Sequence, residues 1–241
     1  DSPNSTEELL ESLCAPVRNW FKDSFPDFTR PQKLAIPAIM DRKNLLLCSP
    51  TGSGKTLTAF LTIIDKLVRL ALDNKLEKKV HCVYISPIKA LANDIQRNLI
   101  GPLSEISETY LPDRAQEIKV GLRTGDTSQS DRQKMLRNPP HILITTPESL
   151  AIAITSPRFQ PIVSELEYMI VDELHSLVPT KRGVHLALTL SYLDTLLKTP
   201  VQRIGISATM EPLEKVAEYL VASDDQETRN NSSKISIAKV S

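Results

Sequence analysis

Ser49-Pro50-Thr51-Gly52-Ser53-Gly54-Lys55-Thr56 stands between an apolar run, Leu45 to Cys48, and a longer apolar helical stretch that begins near Leu57. A strand that breaks at glycine and re-enters as a helix leaves successive backbone N–H groups unpaired and aimed at one point. The partial positive charge of the helix N-terminus falls at the same point, so a phosphate binds there. Lys55 then reaches the β- and γ-phosphates, the Thr56 hydroxyl ligates Mg²⁺, and Thr51, Gly52, Ser53 and Gly54 line the turn. This is the P-loop pattern, with Ser49 where its widest form has glycine. The bland alternative is a glycine-rich β–α turn without a ligand.

Outward from this turn, short apolar runs alternate with helical ones. Strands are expected at 44–49, 80–86, 118–123, 141–145, 168–171 and 203–207, and helices near 54–72, 88–99, 128–136, 148–154, 183–198 and 211–221. The strands are nearly continuous apolar runs, as in Ile142-Leu143-Ile144, which fits burial on both faces. Repeated β–α units imply a mostly parallel sheet with right-handed crossovers. The fold class is therefore α/β: a doubly wound, RecA-like P-loop NTPase domain with helices on both faces.

Before the P-loop, Leu9, Leu10, Leu13, Val17, Trp20 and Phe21 recur at helical spacing. Pro16 interrupts them and leaves open two shorter helices. A short helix is expected from Pro31 toward Met40. Residues 1–24 thus read as a helical extension and 25–222 as the main domain. Asp224 to Ser233 reads as an exposed polar loop. After it, Ile235, Ile237 and Val240 alternate with polar residues, as the last strand of this domain or as a lead into something beyond.

The 29 basic and 29 acidic residues cancel, so nucleic-acid contact must come from local donors rather than a global basic field. Cys14, Cys48 and Cys82 have no metal-ligand spacing and are odd in number, which points to a reducing, cytoplasmic setting. No stretch approaches the ~20 apolar residues that span a bilayer, so no membrane partner is expected.

Asp172-Glu173-Leu174-His175 follows the apolar run Met169-Ile170-Val171. Acidic side chains at the C-terminal end of a buried strand sit where α/β sheets bind ligands. Asp172 is placed to hold Mg²⁺, and Glu173 to orient and deprotonate water. Alone, the pair also reads as a solvated helix start. Its occurrence 117 residues after Lys55 favours the catalytic reading. Ser207-Ala208-Thr209 closes the sixth strand, and its hydroxyls can bond the acidic motif or cap a helix.

In that order, these motifs resemble the first motor domain of a superfamily 2 DExH-type nucleic-acid helicase. Phe28-Thr29-Arg30-Pro31-Gln32 looks like that superfamily's adenine-reading Q motif, in which Gln32 pairs the base edge and Phe25 or Phe28 stacks on it. A Pro-capped core helix is the alternative there. Ser86 to Ile95, Arg123 to Thr127 and Thr145 to Ser149 match the family's strand-contacting loops. They imply backbone contacts by Pro87, Lys89, Arg123, Thr124, Gly125, Thr146, Pro147 and Glu148, beside any role in helix capping. His175, Ser207 and Thr209 are implied to couple the ATP site to a second domain. His81, His141 and His185 are isolated and default to structural roles.

The phrases Pro139 to Leu150, Val171 to Leu186 and Gln202 to Thr209 are most similar to the large helicase-related family. That resemblance implies ATP-driven, 3′ to 5′ movement along single-stranded DNA or RNA, DNA being favoured. It also implies a second RecA-like domain and further C-terminal domains as partners. The 32 residues after Thr209 are too few for a second sheet, so the chain reads as a lone first motor domain that binds Mg-ATP and hydrolyses it slowly. Two rival readings are a non-catalytic nucleic-acid clamp and a translocase that tracks duplexes.

Overall fold

Alternating side chains of the central strands feed two separate cores. Leu45, Leu47, Cys82, Tyr84, Ile142, Ile144, Ile170, Ile204 and Ile206 enter one hydrophobic cluster, while Leu46, Cys48, Val83, Ile85, Leu143, Met169 and Val171 enter the other. The period of two therefore places the sheet between two helical layers. The computed structural model describes residues 5–50, 54–87, 94–113, 115–209, 212–221 and 235–239. Its strands are β1 Asn44–Cys48, β2 Cys82–Ile85, β3 Val120–Arg123, β4 Ile142–Thr145, β5 Tyr168–Val171, β6 Gln202–Ser207 and β7 Ile235–Lys239. They form one sheet in the order β3-β4-β2-β5-β6-β1-β7. All pairings are parallel, so every strand's C-terminal end lies at one edge.

The helices are α1 Thr6–Ser12, α2 Ala15–Ser24, α3 Arg30–Met40, α4 Lys55–Leu72, α5 Gly101–Thr109, α6 Gln129–Arg137, α7 Pro147–Ile154, α8 Gln160–Val163, α9 Leu174–Leu177, α10 Lys181–Leu196 and α11 Leu213–Val221. A π-helical turn, Gln96–Ile100, runs directly into α5. Expected strands agree with the observed ones to within two residues at each end. Of the segment expected to form a last strand, Ile235–Lys239 pairs in parallel with β1. Of the helix expected at 88–99, positions 88–93 lie outside the described residues, as does the polar loop at 224–233.

Pro16 does divide the N-terminal periodicity into two helices, with Pro16 in the first turn of α2. Both pack into the first core through Leu9, Leu13, Val17, Trp20 and Phe21. Asp65 of α4 fastens the junction between them. Its carboxylate accepts the Cys14 N–H at 2.6 Å and the Arg69 Nε–H at 2.7 Å, and Arg69 also donates to the Ser12 carbonyl at 2.8 Å. Trp20 Nε1 donates to Glu105 of α5 at 2.6 Å. No described helix is long and apolar enough to cross a membrane.

Candidate nucleotide and strand-binding site

At the end of β1 the chain turns into α4 through Gly54, whose φ of 77° is the left-handed region that glycine enters without steric cost. The Lys55 ammonium folds back onto the carbonyls of Ser49 and Pro50, at 2.5 and 2.7 Å. Burial pushes Lys55 below its ordinary range, and the nearby Asp172 and Glu173 charges pull it back up. Thr56 is half-buried in the first turn, where helix N–H groups lack partners within the helix. Thr51, Gly52 and Ser53 lie outside the described residues.

Asp172 follows β5 and is only 4% exposed. Its carboxylate accepts the Tyr84 hydroxyl and, at 2.7 Å, the Glu173 N–H. Burial raises its pKa to about 6 against those two hydrogen bonds. Asp172 forms no ion pair among the described residues. A buried carboxylate with two donors, near the Lys55 charge but in no direct ion pair, fits a site that takes a cation.

Glu173 sits at φ 55°, a left-handed conformation uncommon for a residue with a side chain. Its Oε2 lies 3.0 Å from Nε2 of His175. On the other side of that ring, Nδ1 accepts the Ala208 N–H at 3.0 Å. An imidazole that accepts at Nδ1 carries its proton on Nε2, so His175 donates to Glu173. The link between the acidic motif and Ser207-Ala208-Thr209 thus runs through a backbone amide and an imidazole rather than the two hydroxyls expected. Ser207 is buried with its Oγ unpartnered among the described residues, and Thr209 is exposed.

Gln32 is 3% exposed and closes a capping box, its Oε1 accepting the Thr29 N–H at 2.8 Å. Its Nε2 borders the P-loop: a Cβ at Gly54 would stand 3.9 Å from it. Phe28 requires a correction. Its ring is 4% exposed and stacked on Phe21 at 4.0 Å, so it belongs to the core and offers no face to a nucleobase. The half-buried Phe25 is the remaining aromatic of that segment.

The loops expected to meet a strand leave the same edge of the sheet. Arg123, 8% exposed, lies over the Phe159 ring at 5.1 Å. Thr124 and Gly125 follow it, and a Cβ at Gly125 would meet nothing within 4 Å. Thr146 caps α7 through Ser149, and Pro147 begins the helix. Glu148 pairs at two points with Arg182, at 2.6 and 3.2 Å. Pro87 is half-buried after β2, and Lys89 lies outside the described residues.

Two side chains here had no sequence signal of their own. Tyr84 reads as one more apolar strand residue, and only the β2–β5 pairing brings it beside Asp172. Arg132 reads as a solvated helix charge, yet it donates to the carbonyls of Thr124 and Gly125 at 3.3 and 3.1 Å.

Comparison with known proteins gives the same assignment. A family model described as DEAD/DEAH box helicase matches residues 29–217. The chain is 52% identical over 219 residues to the ATP-dependent helicase Lhr-Core of Methanocaldococcus jannaschii, a match covering 90% of this chain and 26% of that protein. It is 54% identical over 218 residues to the protein of that name from Methanothermobacter thermautotrophicus, covering 90% and 25%. Among solved structures, the Mycobacterium smegmatis helicase Lhr bound to ssDNA and AMP-PNP is similar with a TM-score of 0.80 and 42% identity, covering 96% of this chain and 28% of that one. The DEAD-box helicase Mss116 bound to ssRNA and UDP-BeF shares the fold at a TM-score of 0.73 and 20% identity, covering 91% and 44%. This chain thus spans about a quarter of the length of the curated relatives named here.

Proposed function

Because this chain belongs to the DEAD/DEAH box helicase family, we propose that it is the ATP-binding first motor domain of a helicase that moves 3′ to 5′ along single strands, DNA being favoured. The observation that carries this reading is the clustering of Lys55, Asp172 and the Glu173–His175–Ala208 chain at one sheet edge. The strand loops leave the same edge.

On this reading Lys55 exchanges its two carbonyl partners for phosphate oxygens. Thr56 and Asp172 would hold Mg²⁺, and such an ion would supply charge neutralisation at the phosphates. Glu173 accepts the proton of the attacking water. His175 orients Glu173 through its Nε2–H, so a shift of Ala208 reaches the base through a single ring. Gln32 presents its amide beside the P-loop and discriminates adenine. The strand's phosphates meet backbone N–H groups and hydroxyls, a mode suited to a domain without net charge. A second RecA-like domain that supplies an arginine is the partner this site needs, and lack of such an arginine typically costs ~10³–10⁵ in rate.

The test is calorimetric titration of Mg-ATP, with Mg-UTP as control, beside Lys55→Ala. Saturable binding that the substitution abolishes supports the reading. Equal heats from both proteins would sink it. Stimulation of ATP turnover by duplex but not by single strand would replace it with a duplex-tracking motor.

A further inference from the structure

In the loop after β3 the Thr124 and Gly125 carbonyls are occupied while two successive N–H groups are left without partners among the described residues. Thr127 Oγ1 accepts the Thr124 N–H at 2.8 Å and donates to the Leu122 carbonyl at 3.2 Å. The Thr124 carbonyl takes the Thr127 N–H at 3.3 Å and Arg132 at 3.3 Å, and the Gly125 carbonyl takes Arg132 at 3.1 Å. The N–H groups of Gly125 and Asp126 have no hydrogen-bond partner among the described residues, and the space beside Gly125 is open. A loop whose carbonyls are held inward offers successive N–H groups outward, which is what an anion recognises.

Arg132 is the side chain that holds those carbonyls. Its Nε is buried without a partner, so the guanidinium is not placed to satisfy all of its own donors. It stands close enough to Arg123 for its charge, after burial, to lower the Arg123 pKa. Neither arginine forms an ion pair among the described residues. The exposed Asp126 carboxylate, within the loop itself, opposes an anion there.

We propose that Arg132 is a positioning residue for strand binding: by holding the Thr124 and Gly125 carbonyls it turns the Gly125 and Asp126 N–H groups toward a backbone phosphate. The inference rests on the strand-binding reading above. It adds a residue of α6 to that site, acting through the loop rather than on the strand.

Fluorescence anisotropy with a labelled oligothymidylate, read across a salt series, tests it on this chain. Arg132→Ala should weaken binding by about tenfold, the scale of one or two hydrogen bonds to a charged group. The dependence on salt should stay nearly unchanged, because a neutral N–H displaces no counterion. A slope reduced by about one would instead mark direct phosphate contact and overturn the positioning role. Undiminished binding by Arg132→Ala would overturn the inference alone, whereas no binding by the unaltered chain overturns the strand-binding reading with it. Amide spectra of the unaltered chain provide a check that does not require the variant to fold. The Gly125 and Asp126 N–H signals should move on adding the oligonucleotide, and stationary signals would refute the proposal.

Discussion

Ala208 donates its backbone N–H to Nδ1 of His175 across 3.0 Å, joining the loop after β6 to α9. The opposite nitrogen of the same ring meets Glu173. If Glu173 is the base, Glu173→Gln should lower ATP turnover by about 10²–10⁴, the usual contribution of a positioned general base. ATP affinity should stay within about twofold. Single-turnover kinetics separate the two quantities, and a parallel loss of affinity would refute the assignment.

Nucleotide binding should stabilise the fold. At a hundred times Kd, ligand linkage contributes about 2.7 kcal/mol, enough to raise Tm by several degrees. Lys55→Ala should abolish that rise in thermal melts with Mg-ATP. Its melt without nucleotide should change less, since only two hydrogen bonds to Ser49 and Pro50 are removed.

Gln32→Ala should reduce the preference for ATP over UTP by about tenfold, the equivalent of one or two net hydrogen bonds. Competition titration measures it. An unchanged preference would assign Gln32 solely to the Thr29 capping box.

Gly183 is fixed by close approach. A Cβ there would stand 2.2 Å from the Leu177 carbonyl oxygen, where α10 begins against the end of α9. Gly183→Ala should therefore cost about 1–3 kcal/mol, as overpacking does, and lower Tm by several degrees.

Acid should weaken the fold in two windows. Burial, with the charges of His81 and Lys119, lowers the His141 pKa from 6.5 to about 4, and its Nδ1 accepts the Lys119 N–H. Between those values the unfolded chain binds more protons, so stability falls as pH drops from 6.5 toward 4. His141→Asn keeps an acceptor without titrating and should flatten that decline in pH-dependent melts. Burial would raise Glu167, but His81 and Lys66 hold it down to about 2, so its contribution is lost between pH 4.5 and 2.

Strands were legible in the sequence because a sheet covered on both faces demands uninterrupted apolar runs, as at Tyr168–Val171. Among the helices not expected, Gly101–Thr109 begins with Gly101-Pro102, which occupies a first turn where proline is tolerated. Within the candidate site, Lys55, Asp172 and Glu173 were marked by local pattern. Tyr84 and the Ala208 amide were not, because their roles follow from which strands are neighbours. Phe28 was misassigned for the related reason that sequence shows an aromatic without showing which face its neighbours cover.

The junction of α1 and α2 on Asp65 bears on where a shorter gene for this unit could begin. Starting at Phe25 would remove Val17, Trp20 and Phe21 from one core and the Cys14 N–H from a carboxylate that is 4% exposed. The truncated product would carry a greasy scar over α4, the helix that starts at the candidate nucleotide loop, and would be prone to precipitate. What resembles a detachable leader is part of the floor on which that loop stands.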